Sequence, residues 1–196
     1  MRDWKSDKMR LSIIRHGITE ANERHLYCGR TDLSLSEQGR ENLVSLKETV
    51  SYPVAAVYIT SGLTRASESL RILYERESDI IMDEFNEMDF GDFEMKSYED
   101  LKDEPEYQHW IENIESAACP CGENRIVFDK RILAGFDKLC EMKYESAVVL
   151  CHGGVIVSIM ERLFPGQRNF YEWQSGYGRG YTLDISSERA ASFSEI

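Results

Sequence analysis

Two hydrophobic periods alternate along this chain. The run from Met9 to Arg15 (MRLSIIR) reads as a buried strand that stops at His16-Gly17. A loop follows to about Ser36, which is placed to N-cap a helix over 37–50, where Leu43, Val44, Leu46 and Val50 recur at helical spacing. Beyond Pro53 the segment 54–60 (VAAVYIT) predicts a second strand, 62–75 a helix behind it, and 79–82 a short third strand. Pro105 opens a helix expected over 105–116. The helix predicted over 123–143 carries Ile126, Leu133, Phe136, Leu139 and Cys140 on one face. Residues 146–151 (SAVVLC) are apolar without alternation, the pattern of a central parallel strand buried on both sides. A helix over 153–163 and closing strands at 181–185 and 190–194 complete the reading.

Strands alternating with helices predict an α/β fold, a three-layer sandwich with a mostly parallel central sheet and helices on both faces. Neither a repeat nor a linker interrupts it, so residues 1–196 read as a single domain. A chain of 196 residues is long enough to bury roughly 70% of the surface it exposes unfolded.

Charge narrows the set of partners. The formal net charge of −12 repels nucleic-acid backbones and anionic membranes, and no window approaches the ~18 apolar residues of a membrane-spanning helix. The charged start, MRDWKSDKMR, is followed by only four apolar residues before Arg15, which argues against an export signal. The five cysteines (Cys28, Cys119, Cys121, Cys140, Cys151) are odd in number and widely spaced, so a reducing, cytoplasmic compartment is expected. Between 83 and 116 thirteen acidic residues face only Lys96 and Lys102, marking the segment at about 83–122 as an acidic cap or lid.

Ligands of open α/β sheets bind beyond the carboxyl ends of the strands. There the chain places Arg15 and His16 after the first strand, Arg65 shortly after the second, Glu87 after the third and His152 after the apolar SAVVLC strand. Gly153-Gly154 then opens a helix whose N–H groups suit an anion. Arginines and histidines converging in an acidic protein describe a local cationic pocket, most simply for phosphate.

At these residues the chain resembles a family. Arg15-His16-Gly17 with Thr19, Glu20, Asn22, Gly29 and Asp32 is similar to the signature of the histidine phosphatase (phosphoglycerate mutase-like) superfamily. The stretch from Ser61 through Arg65 to Ser69, Glu87 with Gly91 and Glu94, and Cys151-His152-Gly153-Gly154 resemble its three later motifs, in family order. The resemblance implies a phosphoglycerate mutase-like fold and a phosphomonoesterase of the small phosphatase branch, acting on small phosphorylated metabolites. His16 would be the nucleophile that becomes a phosphohistidine and Glu87 the general acid and base. Arg15, Asn22, Arg65, His152 and Gly153 would hold the phosphoryl oxygens. The attacking imidazole must be neutral, its other ring nitrogen tied to backbone near Gly17. No metal or other cofactor is implied, and a homodimer is left open. The family often has proline where this chain has Gly62, and Trp-Glu-Gly where it has Phe93-Glu94-Met95.

Other readings stay open. A cofactor-dependent mutase usually carries extra basic residues past the acid motif, whereas this region is acidic, favouring hydrolysis. An α-ribazole phosphatase is a specific alternative within the family, to which the segment from Gly176 to Tyr181 bears a faint likeness, while GYGRG otherwise reads as a loop. A regulatory phosphate-binding module without turnover is the non-enzymatic one. Cys119 and Arg125 match the Cys-x5-Arg spacing of cysteine phosphatases, a spacing common enough to arise by chance. His25 and His109 read as ordinary polar residues.

Overall fold

A computed structural model describes residues 8–186 and 189–196, and the charged residues 1–7 lie outside them. Along the chain run β1 (Lys8–Arg15), α1 (Glu20–Glu23), α2 (Glu37–Thr49), β2 (Val57–Thr60), α3 (Thr64–Tyr74), β3 (Ile80–Ile81), α4 (Tyr98–Leu101) and α5 (Pro105–Glu112). Then come α6 (Arg125–Glu141), β4 (Ser146–Cys151), α7 (Gly153–Leu163), α8 (Phe170–Trp173), β5 (Gly180–Ser186) and β6 (Arg189–Glu195). Short 3-10 turns sit at Asp83–Phe85 and Gly91–Phe93.

The six strands form one sheet in the order β3-β2-β4-β1-β5-β6. The SAVVLC strand β4 lies between β2 and β1 and is parallel to both, and β5 and β6 add an antiparallel edge. Because side chains alternate across a strand, Ile14, Val148, Leu150 and Tyr58 pack on one face with Leu43 of α2 and Leu70 of α3. Ile13, Val149, Val57 and Ile59 pack on the other with Phe128 and Ile132 of α6 and Val155 and Ile159 of α7. The result is a mixed sheet covered on both faces, the α/β sandwich expected from the alternation of elements. Among the described residues no helix is long and apolar enough to cross a membrane.

Several boundaries differ from the periodicity, each for a local reason. The second strand begins at Val57 rather than Val54, which is 84% exposed. The Ala56 N–H instead donates to Ser146 Oγ and leads the chain into the sheet. The loop before Ser36 contains α1, closed by a capping box between Thr19 and Asn22. In α2 Val44 points to solvent. In α6 the buried stripe runs through Phe128, Ile132, Phe136 and Leu139, while Ile126 is exposed in the first turn. Asn124 N-caps that helix by accepting from the Val127 N–H, so it starts two residues later than expected. The helix opened by Pro105 ends at Glu112.

The acidic segment is not merely a solvated face. Phe85, Met88, Phe93, Leu101, Tyr107 and Trp110 are buried in the larger of the two hydrophobic clusters. Arg131 of α6 anchors its start, donating to the Glu84, Asn86 and Glu87 carbonyls and pairing with Glu123 at 2.7 Å.

The turn after β2 depends on glycine. Gly62 has φ +93°, and its N–H donates to Thr60 Oγ1. Proline, with φ held near −65° and no N–H, can take neither role. Gly62→Pro is therefore expected to lower the unfolding free energy by about 1–3 kcal/mol. A urea midpoint at or above that of the unaltered protein would overturn this account of the turn.

Candidate active site

Strand register builds the site. Arg15 of β1 lies opposite Cys151 of β4, so the next residues, His16 and His152, emerge side by side. Their rings stand edge to face with centroids 5.1 Å apart. Thr60 of β2 lies opposite Leu150, which brings Ser61 to His152, with Oγ 2.8 Å from Nε2. All three strands end at the same edge, where an α/β sheet offers unpaired backbone and room for a ligand.

His16 is 5% exposed, and its Nδ1 lies 2.5 Å from the Gly17 carbonyl. A carbonyl can only accept, so Nδ1 carries the proton and the Nε2 lone pair is left free. The Gly17 peptide is itself fixed from α3: its N–H donates to Ser69 Oγ (2.8 Å), and that hydroxyl donates to the Arg65 carbonyl (2.6 Å). Burial, with the nearby Arg65 and Arg15 charges, pushes the His16 pKa well below the ordinary histidine value. Burial and the same arginines do so for His152. Both imidazoles are neutral at pH 7.

The two arginines are held by carbonyls instead of carboxylates. Arg65 is 1% exposed and donates through Nη1 to Thr31 O (2.9 Å) and through Nη2 to Gly29 O (2.6 Å). Arg15 donates through Nη1 to Ser175 O (2.9 Å) and stacks under the Tyr177 ring, 4.0 Å from its centroid. Neither has an ion-pair partner among the described residues. Arg15 Nε, Arg65 Nε and His152 Nδ1 are all buried and without a hydrogen-bond partner. Buried polar atoms left unpaired are costly, and two of these three are guanidinium N–H donors, which suit an anionic ligand.

Glu87 closes the site from the acidic segment. Its Oε2 accepts from the Gly154 N–H at the start of α7 (3.0 Å), and Oε1 from the Met88 N–H (2.9 Å). A Cβ at residue 154 would push that carboxylate aside, so glycine lets Glu87 keep this place. Gly153, the first residue of α7, lies against the Arg15 guanidinium. Asn22 does not aim its whole amide at the site. Its Oδ1 accepts from the Thr19 N–H and hydroxyl, both at 3.0 Å, which leaves the NH2 group to donate elsewhere.

The sequence reading did not single out Tyr177, Ser61 or Ser69, nor the task of Glu94. The Glu94 carboxylate accepts from the N–H groups of Gly29, Arg30, Thr31 and Phe90 and from the Thr31 hydroxyl, shaping the loop whose carbonyls hold Arg65. Ser61 and Ser69 lie within the recognised second-arginine stretch, which was a signal. Tyr177 lies in the Gly176–Tyr181 segment noted for its faint likeness, but nothing there pointed to Arg15: it reaches Arg15 because antiparallel β5 runs beside β1, with the Gly178 N–H donating to Arg15 O.

The Cys-x5-Arg pair does not join the site. Burial pushes the Cys119 thiol up to about 12, and Arg125 is engaged by Asp129 and Glu161. Neither a reactive thiolate nor a free guanidinium is present there. His25 and His109 are both exposed, the latter facing Asn113, whereas the rings beside buried His16 are those of His152 and Tyr177. The described residues contain no group of three or more His, Cys, Asp or Glu able to hold a metal ion.

The family model for the histidine phosphatase superfamily (branch 1) matches residues 11–191. The chain is 35% identical over 163 residues to an adenosylcobalamin/alpha-ribazole phosphatase of Escherichia coli K12, covering 79% of each. It is 30% identical over 166 residues to a 2,3-bisphosphoglycerate-dependent phosphoglycerate mutase of Parvibaculum lavamentivorans, covering 78% of this chain and 79% of that one. A crystal structure of a putative alpha-ribazole-5'-P phosphatase from Escherichia coli superposes with a TM-score of 0.85 at 30% identity, covering 96% and 95% of the two chains.

The depressed histidine values fix a pH dependence of stability. As pH falls below about 6.5 the unfolded chain binds protons that folded His16 and His152 do not, so the stability present at higher pH is lost towards the folded-state values. Urea midpoints are expected to fall between about pH 6.5 and 5, and less steeply in His152→Gln. Identical slopes for the two proteins would show that His152 is not held neutral.

Proposed function

The chain belongs to the histidine phosphatase superfamily, and we propose that it hydrolyses small phosphomonoesters through a phosphohistidine formed on His16. What carries this reading is one observation: Arg15 Nε, Arg65 Nε and His152 Nδ1 are buried, unpaired and gathered around a neutral His16 whose Nε2 lone pair is free. In the first step Nε2 attacks phosphorus and the ester P–O bond breaks, with Glu87 giving its proton to the leaving oxygen. In the second, Glu87 takes a proton from water, the water oxygen bonds to phosphorus, and the N–P bond breaks to release inorganic phosphate. The arginines and His152 act on the phosphoryl oxygens through both steps, assisted by the Gly153 N–H and the NH2 of Asn22. Because these donors are fixed before substrate arrives, little reorganisation accompanies the reaction.

Hydrolysis is favoured over transfer to a second substrate by the cap. Lys102, one of two cations among residues 83–116, is already paired with Glu99 at 2.6 Å. The segment at about 83–122 thus brings an excess of acidic residues and little with which to bind a second phosphate or carboxylate. The likeness to α-ribazole phosphatases makes α-ribazole 5'-phosphate the first substrate to test. Five free cysteines suit a reducing compartment such as the cytoplasm.

His16→Ala is expected to lower kcat on p-nitrophenyl phosphate by about 10³-fold or more, and acid-quenched enzyme should carry base-stable, acid-labile phosphate only when His16 is present. An active alanine variant would refute the nucleophile. Glu87→Gln should slow an alkyl phosphate by about 10²-fold and p-nitrophenyl phosphate by less than about tenfold, since nitrophenolate leaves without a proton. Equal losses on the two substrates would remove Glu87 from the acid role.

A further inference from the structure

The two site histidines differ in how their protons are placed. A carbonyl settles His16, whereas His152 Nε2 meets the Ser61 hydroxyl at 2.8 Å, a partner that can donate or accept. Surroundings remove the ambiguity. Ser61 and His152 are both fully buried, and the Leu63 N–H points at Ser61 Oγ at 3.4 Å, closing a serine turn ahead of α3. With that oxygen accepting from backbone, the hydroxyl proton has one acceptor within hydrogen-bond distance among the described residues, the Nε2 lone pair. In the opposite arrangement, with Nε2–H donating to Ser61, the serine proton would be buried without a partner; Nδ1 has none among the described residues in either case, but as an N–H it can be answered by an anion, whereas as a lone pair it cannot.

We propose that Ser61 is a positioning residue: its hydroxyl donates to His152 Nε2, fixes the tautomer with the proton on Nδ1, and so aims a neutral N–H donor at the phosphoryl group. The relay runs Leu63 N–H to Ser61 Oγ, then Ser61 O–H to His152 Nε2, and leaves Nδ1–H as its output. Its role in turnover rests on the phosphohydrolase reading above, while the tautomer does not. The chain geometry accounts for the choice of a hydroxyl here. Residue 61 stands between β2 and the helix that carries Arg65, so the same turn that launches one phosphate-facing cation orients the neighbouring donor. Burial and the adjacent arginines keep His152 uncharged, which makes the tautomer consequential, because a doubly protonated ring would donate from either nitrogen.

Nitrogen-15 NMR of histidine-labelled protein at pH 7.5, with His152→Gln to assign the resonances, reads the tautomer directly. The expected spectrum has His152 Nδ1 protonated and Nε2 bare, and a protonated Nε2 overturns the proposal without any variant of Ser61. Ser61→Ala should then mix the His152 tautomers and lower kcat on p-nitrophenyl phosphate about tenfold with KM within about threefold, and Ser61→Thr should restore most of both. An alanine variant with unchanged tautomer and unchanged kcat also overturns it. If the unaltered protein shows the expected tautomer but hydrolyses no phosphomonoester, the hydrolase reading fails and Ser61's part in turnover fails with it, while its control of the proton on His152 stands.

Discussion

Two guanidinium groups, Arg65 buried and Arg15 half-buried, stand at the end of a sheet with no carboxylate paired to them among the described residues, and the rest of the site follows from that constraint. Burying an unpaired charge is expensive, so every remaining hydrogen-bonding group nearby must serve it. Carbonyls of Gly29 and Thr31 accept from Arg65, and the carbonyl of Ser175 accepts from Arg15. The loop that offers the first two is shaped in turn by Glu94, whose charge is spent on backbone N–H groups at the back of the same peptides. Negative charge thus reaches Arg65 through polarised amides, and the Arg65 Nε stays without a partner among the described residues.

That positive field makes the histidines useful. Burial first, and the charges of Arg65 and Arg15 after it, keep His16 and His152 neutral, one as a lone-pair donor and the other as a hydrogen-bond donor. The protein's net charge of −12 acts elsewhere, on the cap and the outer surface. An incoming phosphate ester therefore meets repulsion at long range and a small region of opposite sign at short range, which favours ligands that can reach the pocket over polyanions in general.

Much of the site was legible because its chemistry is tied to strand ends, and strand ends are visible in the hydrophobic pattern. Arg15, His16 and His152 stand directly after runs whose apolar character is local and unambiguous. Arg65 and Glu87 were marked by family motifs and by following a strand at short distance. Asn22 was legible as a residue, but the second task of its Oδ1 was not, because that oxygen caps a helix too short to show in periodicity. Glu94 was recognised in a motif, but nothing nearby in sequence indicates that it binds a loop more than sixty residues earlier.

The amino-acid order alone determined the alternation of strands and helices, the buried central strand, and the residue types at the sheet edge, since each depends on neighbours within a few positions. Only the folded chain decided which of those residues meet. The parallel register of β1 and β4 puts two rings side by side, antiparallel β5 lays Tyr177 over Arg15, and the end of β2 supplies Ser61 to His152. Those pairings join positions separated by about ninety to one hundred and sixty residues. They arise from strand order, which no local propensity encodes.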